Sequence, residues 1–217
     1  MKILVVTEKS IPTENQRDGG FRLVDTLKCV FGNSLSIMQF GLEFFLDSSA
    51  KWQYIYPYRI QNRFERRIAN AEFIAKQVKQ VEHEFTHIIF IHISMQFGLD
   101  TYPLDNKVQI WTFPMFLTPS YLASAEIIPE DYLKRERIAL AMSKNILTPS
   151  HMEKRQLIEY YGIPENRIHV VPRGVKTELL FPKIRCLNGP PIFCSIGSIK
   201  PQKNTLGLIQ LFKKIQK

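Results

Sequence analysis

The sequence has little cysteine and no long apolar run, and these absences exclude several classes of protein. Its three cysteines, Cys29, Cys186 and Cys194, lie far apart and lack the spacing of a metal site, so we expect reduced thiols in a cytosolic protein. No apolar stretch approaches the ~20 residues of a transmembrane helix. The apolar part of MKILVVTEKS at the start is too short for a signal peptide. The patterns G-x-G-x-x-G and G-x-x-x-x-G-K-[ST] are absent too, which excludes the standard dinucleotide and P-loop motifs.

What remains is an ordinary globular composition with an excess of positive charge. Apolar residues make up 45% and charged residues 23% of the 217 positions, which is ample material for a core. The net charge of +9 favours acidic partners such as sugar-nucleotide diphosphates, anionic lipid or nucleic acid, although a merely basic soluble protein has the same charge. Because no helix-turn-helix, RNP or zinc pattern is present, we expect no nucleic-acid partner.

The clearest local pattern runs from Asn145 to Pro182. A short apolar strand is followed by Ser150, which begins a helix in an S-x-x-E capping box with Glu153. Gly162 ends this helix, and the apolar segment 168–171 follows as a second strand. The pattern therefore predicts a strand–helix–strand unit.

Other apolar segments predict further buried strands of the parallel type, at 2–7, 34–40, 86–93 and 107–113. Helical patterns are predicted between them, at 18–31, 59–82 and 129–142. The aromatic-rich segment 41–57 receives no assignment. Strands that alternate with helices predict an α/β fold with a doubly wound parallel sheet.

Two glycines, Gly19 and Gly20, lie at the start of the first predicted helix, after the first strand. The backbone N–H groups and the dipole at such a helix start can bind a phosphate. A Gly-Gly pair before a helix is also commonly a simple turn, so the residues by themselves leave both interpretations open.

Three arginines, Arg59, Arg63 and Arg66, flank the apolar stripe of the predicted helix 59–82. A basic flank of this kind suits an anionic membrane surface or a phosphorylated acceptor, and it equally suits a solvated helix face. His87 and His92, in the strand 86–93, are interpreted as structural histidines because no partner residues accompany them at metal-ligand spacing.

The loop 114–129 contains Tyr121 and Glu126 and follows a predicted parallel strand. Open α/β sheets bind ligands at the carboxyl ends of their strands. This position makes the loop a candidate for ligand contact.

Two segments resemble those of GT-B glycosyltransferases of the large family 4 type. The first contains Y-G-I-P at 161–164, R-I-x-V-V-P-x-G-V at 167–175 and F-P at 181–182, which is similar to the hinge between the two domains of that family. The second is G-x-x-x-P-x-K-N at 197–204, which resembles the family loop G-R-L-x-P-x-K-G/N. Both segments occur in the expected order.

The resemblance implies a Rossmann-like, acceptor-side GT-B domain at 1–172, a hinge at 173–190 and a truncated donor-binding domain at 191–217. It implies a nucleotide-sugar donor, a glycan or lipid-linked acceptor, a retaining reaction, and no metal or other cofactor. The residues expected to contact the donor diphosphate are Gly19, Gly20 and Lys203. Those expected to contact the acceptor or an anionic membrane are Arg59, Arg63, Arg66, Tyr121 and Glu126. No catalytic residue is assigned.

The sequence also departs from the family pattern. Ser198 stands where the family has an arginine, and Pro114 stands where many members have a histidine near the reaction centre. The hinge carries Arg173 and Lys176 in place of asparagine and aspartate, and the E-x7-E motif of the donor domain is absent. We therefore expect an incomplete chain that does not transfer sugar by itself, located in the cytoplasm or peripherally on the inner face of the membrane. The alternative is a non-catalytic remnant that binds an acceptor or partner, and a separate donor-domain polypeptide is a further expected partner.

Overall fold

A computed structural model describes residues 1–8, 19–42, 50–119, 127–172 and 204–215 of the chain. Within these residues one seven-stranded sheet has the strand order β3-β2-β1-β4-β5-β6-β7. Its strands are β1 Ile3–Glu8, β2 Leu35–Gly41, β3 Trp52–Ile55, β4 His87–Ile91, β5 Gln109–Phe113, β6 Asn145–Thr148 and β7 Ile168–Val170. All neighbouring strands pair in parallel, so their carboxyl ends lie at the same edge of the sheet.

Helices cover both faces of this sheet. In chain order the helices of the described residues include α1 Gly19–Phe31, α2 Arg63–Ala69, α3 Ala71–Val81, α4 Glu130–Met142, α5 His151–Tyr161 and α6 Thr205–Ile215. Val24 of α1 packs on one face with Ile3 and Val5 of β1. Ile74 of α3 packs on the opposite face, in a cluster with Leu4 of the same strand. The structure thus confirms the prediction of a Rossmann-like, doubly wound α/β fold.

The predicted single helix over 59–82 is wrong, because the segment forms two helices that meet at Asn70. Asn62 begins α2, and its Oδ1 accepts hydrogen bonds from Phe64 N at 2.9 Å and from Glu65 N at 3.3 Å. Asn70 Nδ2 donates to the carbonyl oxygens of Tyr58 at 2.9 Å and Arg66 at 2.8 Å. Asparagine side chains that bond to the backbone in this way compete with helical hydrogen bonding, so the apolar periodicity continues across a real break.

The strand–helix–strand unit is confirmed, together with the Ser150 half of the predicted capping box. Ser150 Oγ accepts a hydrogen bond from Glu153 N at 3.2 Å, which satisfies one of the unpaired N–H groups at the start of α5. Gly162 ends the helix with a φ of +67°, a left-handed conformation that glycine adopts at little cost. β6 and β7 then pair in parallel, with Ile146 opposite Ile168.

The strand order reverses between β1 and β4. From β1 the chain moves outward to β2 and β3, and it then returns to the other side of β1 with β4 and continues outward to β7. In open parallel sheets the crevice at such a reversal, outside the carboxyl ends of the strands, is the usual place for a ligand. Glu8 ends β1 and His92 follows β4, so these two residues lie at that crevice.

Candidate functional site

An ion pair lies at the strand reversal. Arg67 of α2 donates to Glu8 Oε2 from Nε at 3.0 Å and from Nη2 at 2.8 Å. The two side chains are only 12% and 14% exposed. Tyr56, which follows β3, lies beside this pair, and burial together with the Glu8 carboxylate raises the pKa of its phenol well above the usual value. The pair therefore ties α2 to the end of β1 in a largely dry environment, where charge interactions are strong.

His92 has a strained backbone at the same edge. Its φ is +82° and its ψ is +126°, a conformation that residues with side chains rarely adopt. Two hydrogen bonds hold it there: His92 N donates to Phe113 O at 2.8 Å, and Ile93 N donates to Pro114 O at 3.3 Å. The ends of β4 and β5 thus impose the conformation, and backbone strain of this kind is concentrated at functional sites.

The imidazole of His92 is buried, with 8% of the residue exposed. Its Nδ1 accepts a hydrogen bond from Ser94 N at 3.3 Å and lies 2.9 Å from Ser94 Oγ. Its Nε2 is buried and has no hydrogen-bond partner in the described part of the chain. Burial and the nearby charges of Arg67 and Arg63 lower the pKa of His92 well below its usual value, so the ring is neutral at physiological pH.

A second buried network holds the segment that follows β5. Glu136 of α4 is fully buried. Its Oε2 accepts a hydrogen bond from Thr118 N at 3.3 Å and another from the hydroxyl of Tyr161 in α5. Burial raises the pKa of Glu136 despite these bonds. The network fixes the start of the loop that was predicted to contact the ligand, because Thr118 lies two residues before its undescribed part.

The structure describes only some of the residues predicted for the site. Gly19 and Gly20 form the first positions of α1, as expected for a helix start that follows β1. Tyr121, Glu126 and Lys203 lie outside the described residues, as do the predicted hinge and the segment 191–203. Their roles, and the proposed domain boundaries, stay predictions.

The three arginines predicted as a basic flank occupy different environments. Arg59 is exposed and precedes α2, whereas Arg63 and Arg66 are half-buried within it. Arg66 Nη1 donates to Ile60 O at 3.0 Å, and the Arg63 guanidinium lies 5.0 Å from the ring of Phe64. Contact of these arginines with an acceptor or a membrane stays a prediction.

Sequence reasoning missed Glu8 and His92 as site residues. Each is the first polar side chain with a charge or a ring nitrogen at the end of a long apolar strand, and that signal was present in the sequence. What the sequence lacked was the strand order, which makes β1 and β4 neighbours. Arg67 follows Arg66 in the same basic segment, but its partner Glu8 lies 59 positions away.

The described residues lack both a cluster of metal-ligating side chains and a membrane-spanning helix. No group of three or more histidine, cysteine or acidic side chains among them is placed to hold a metal ion. Among the helices of the described ranges, none is long and apolar enough to cross a membrane.

An all-parallel sheet with polar residues at its strand reversal defines a Rossmann-like α/β domain. Residues 108–179, from the start of β5 through the strand–helix–strand unit, match the family model of Glycosyltransferase Family 4. This match confirms the resemblance that the hinge and loop motifs indicated. No curated protein sequence matches the chain.

Solved structures show the same fold. A glycosyltransferase from Rickettsia africae ESF-5 superposes with a TM-score of 0.50 at 16% identity, covering 99% of this chain and 50% of that chain. A UDP-GlcNAc 2-epimerase from Methanocaldococcus jannaschii superposes with a TM-score of 0.50 at 12% identity, covering 79% of this chain and 45% of that chain. The chain thus spans about half the length of these structures. At such identities the likeness shows the fold.

Proposed function

We propose that this chain is the acceptor-side part of a glycosyltransferase that transfers a sugar from a nucleotide-sugar donor to a glycan or lipid-linked acceptor. The observation that carries the proposal is the family match over 108–179. The match covers the whole strand–helix–strand unit and β5, whose carboxyl end lies at the edge of the sheet where the strands end, called the ligand edge below. The glycosyltransferase from Rickettsia africae, which matches over 99% of this chain, supports it through the shared fold. We further propose domain boundaries at 1–172, 173–190 and 191–217.

The start of α1 supports a role in binding the donor diphosphate. The helix has 13 residues and no acidic side chain in its first turn, where one would repel an anion. Gly19 and Gly20 carry no Cβ, which allows a phosphate to approach the backbone N–H groups closely. Lys203 is proposed as an added cation on the same diphosphate.

Such a site acts on the leaving group. When the bond between the sugar and the diphosphate breaks, negative charge builds up on the diphosphate oxygens. Fixed N–H dipoles and cations that face those oxygens stabilise the transition state more than the ground state, and this difference accelerates the reaction. By family analogy the reaction retains the anomeric configuration. The acceptor or membrane contacts are proposed as Arg59, Arg63, Arg66, Tyr121 and Glu126.

The test is Gly20→Val in the product of the whole reading frame that contains this chain. A valine side chain at the helix start keeps the diphosphate away from the backbone, so turnover of nucleotide sugar should fall by about 10²-fold or more. Asn33→Val is the matched control, because it introduces the same valine side chain at an exposed position just beyond the carboxyl end of α1. Unchanged turnover in a folded Gly20→Val protein would remove this loop from the site.

Two departures from the family pattern favour the alternative of a non-catalytic module that binds an acceptor or partner. Pro114 stands where many family members have a histidine, and Ser198 stands in place of an arginine. Pro114 has no side-chain proton to transfer, and it contributes its carbonyl oxygen to the turn at His92. Calorimetric titration with UDP-, GDP- and ADP-sugars, together with a radiolabelled transfer assay, separates the two. Binding of an oligosaccharide or lipid-linked saccharide without nucleotide-sugar binding or transfer would support the module.

A further inference from the structure

We propose that His92 donates a hydrogen bond from Nε2–H to an anionic phosphate oxygen of a ligand bound at the carboxyl ends of β1 and β4. This inference rests on the proposed function in one respect, namely that a nucleotide sugar is the physiological source of the phosphate. It assigns His92, first interpreted as structural, a direct contact with the ligand.

The hydrogen bonds of His92 determine its tautomer. Ser94 N is a backbone donor and points at Nδ1 over 3.3 Å, so Nδ1 must be the unprotonated acceptor. Ser94 Oγ, 2.9 Å from the same nitrogen, is able to donate to it as well. In a neutral imidazole the single proton then resides on Nε2, which makes Nε2–H a donor with a defined direction.

This donor has no acceptor in the described part of the chain, although it is buried. A buried and unsatisfied N–H destabilises the folded protein, and nearly all buried polar groups in proteins are paired. The backbone of His92 is strained in addition, with its φ of +82°. The backbone hydrogen bonds of His92 and Ile93 maintain this strain but leave Nε2 without an acceptor, whereas a ligand oxygen placed opposite Nε2 accepts the unused hydrogen bond.

The surrounding charges favour an anionic oxygen. Burial and the positive charges of Arg67 and Arg63 lower the pKa of the His92 ring, so both guanidinium groups act on this position. A phosphate oxygen gains from these positive charges and from the N–H donor, while a sugar hydroxyl gains mainly from the donor.

The test is NMR on the ¹⁵N-labelled 217-residue chain. In the free chain the histidine side-chain spectrum should show His92 as the Nε2–H tautomer. Titration with UDP, GDP and ADP presents the phosphate of a donor, whereas glycerol 3-phosphate presents that of an acceptor. We expect the Nε2 proton to move downfield with a nucleoside diphosphate and to approach saturation, and we expect a much smaller change with glycerol 3-phosphate.

Variants supply an independent measurement. His92→Phe removes the donor but keeps a ring. It should weaken the binding of the same nucleoside diphosphate by about 10- to 100-fold, as expected for the loss of one hydrogen bond to a charged group. His92→Gln keeps an N–H in nearly the position of Nε2 and should recover part of the affinity. His87→Gln is the matched control, because His87 lies at the opposite, amino end of the same strand. It should leave the affinity unchanged.

Several outcomes overturn the inference. They are an Nδ1–H tautomer, a His92 resonance that does not move when a bound probe saturates the chain, and the absence of binding by every probe. If nucleotide sugars are turned over while the His92 resonance stays fixed, this inference fails and the proposed function stands. If a phosphate probe moves the resonance but no nucleotide sugar is bound or turned over, the proposed function fails and the His92 contact stands.

Discussion

Gly98 provides the sharpest test of the packing beside the ligand edge. It lies just after the short 3-10 helix Ile93–Gln96, where the chain passes the start of α3. A Cβ at position 98 would lie 2.3 Å from Ala71 O, 2.6 Å from Ala71 C and 2.9 Å from Glu72 N. Non-bonded atoms prefer separations of about 3.5 Å, so Gly98→Ala requires the two segments to separate by about 1 Å.

The size of the effect follows from which atoms clash. All three belong to the backbone of α3, so no side-chain rotation relieves the contact. Separation would loosen the packing of Ala71, Ile93 and Phe97, which are 1%, 0% and 2% exposed. Overpacking in a core usually costs about 1–3 kcal/mol, and we expect the upper end of that range. In a domain of roughly 150–250 residues this lowers the melting temperature by about 6–12 °C.

The assay is urea and thermal unfolding of Gly98→Ala and of a control, Gly162→Ala. Gly162 ends α5 in a left-handed backbone conformation, with a φ of +67°, and nothing lies within 4 Å of a Cβ added there. The free energy of unfolding of the control should fall by only about 1 kcal/mol, which is the cost of placing alanine in a left-handed conformation. Stability of Gly98→Ala within about 0.5 kcal/mol of the unmutated chain, or equal to that of the control, would refute the close approach.

Two further predictions concern the buried ionisable groups. Arg67→Met removes the partner of the Glu8 carboxylate and should destabilise the fold by about 2–4 kcal/mol. Adding Glu8→Gln should recover part of this loss. Additive effects in the urea double-mutant cycle would contradict the pairing. The pKa of Glu136 is raised above its ordinary value of 4.5 by burial, so the unfolded chain loses this proton first and stability falls as the pH rises from 4.5 towards the folded pKa. Glu136→Gln keeps an oxygen acceptor and should reduce this fall in stability. If the urea midpoints of the variant and the unmutated chain instead change in parallel between pH 4 and 8, Glu136 does not cause the fall.

Some features of this protein are encoded within a few neighbouring residues, and these were predictable. Helix α5 is an example, because Ser150 and Gly162 satisfy its terminal groups locally and act the same way in any context. The parallel strands β1 and β4 are similar, since their apolar runs have to be buried on both faces. The apolar periodicity predicted the class of fold, whereas the hinge and loop motifs indicated the family.

Other features depend on residues that meet only after folding. The break between α2 and α3 requires the backbone of Tyr58 as a partner for Asn70, and apolar periodicity does not reveal that partner. Strand β3, only four half-buried residues long, has a weak pattern of its own and is defined by its pairing with β2.

The sequence by itself thus determined the class of fold and the family resemblance, because both depend on local patterns and motifs. Only the tertiary structure decided which polar residues share the ligand edge. The strand order pairs β1 with β4, with Thr7 opposite Ile91, so Glu8 and His92 lie at the same edge although 84 positions separate them. The backbone bonds from His92 to Phe113 and from Ile93 to Pro114 then fix the direction of the imidazole. Long-range hydrogen bonds and burial set the tautomer and the neutral charge of that ring, and a histidine in an unfolded chain has neither property.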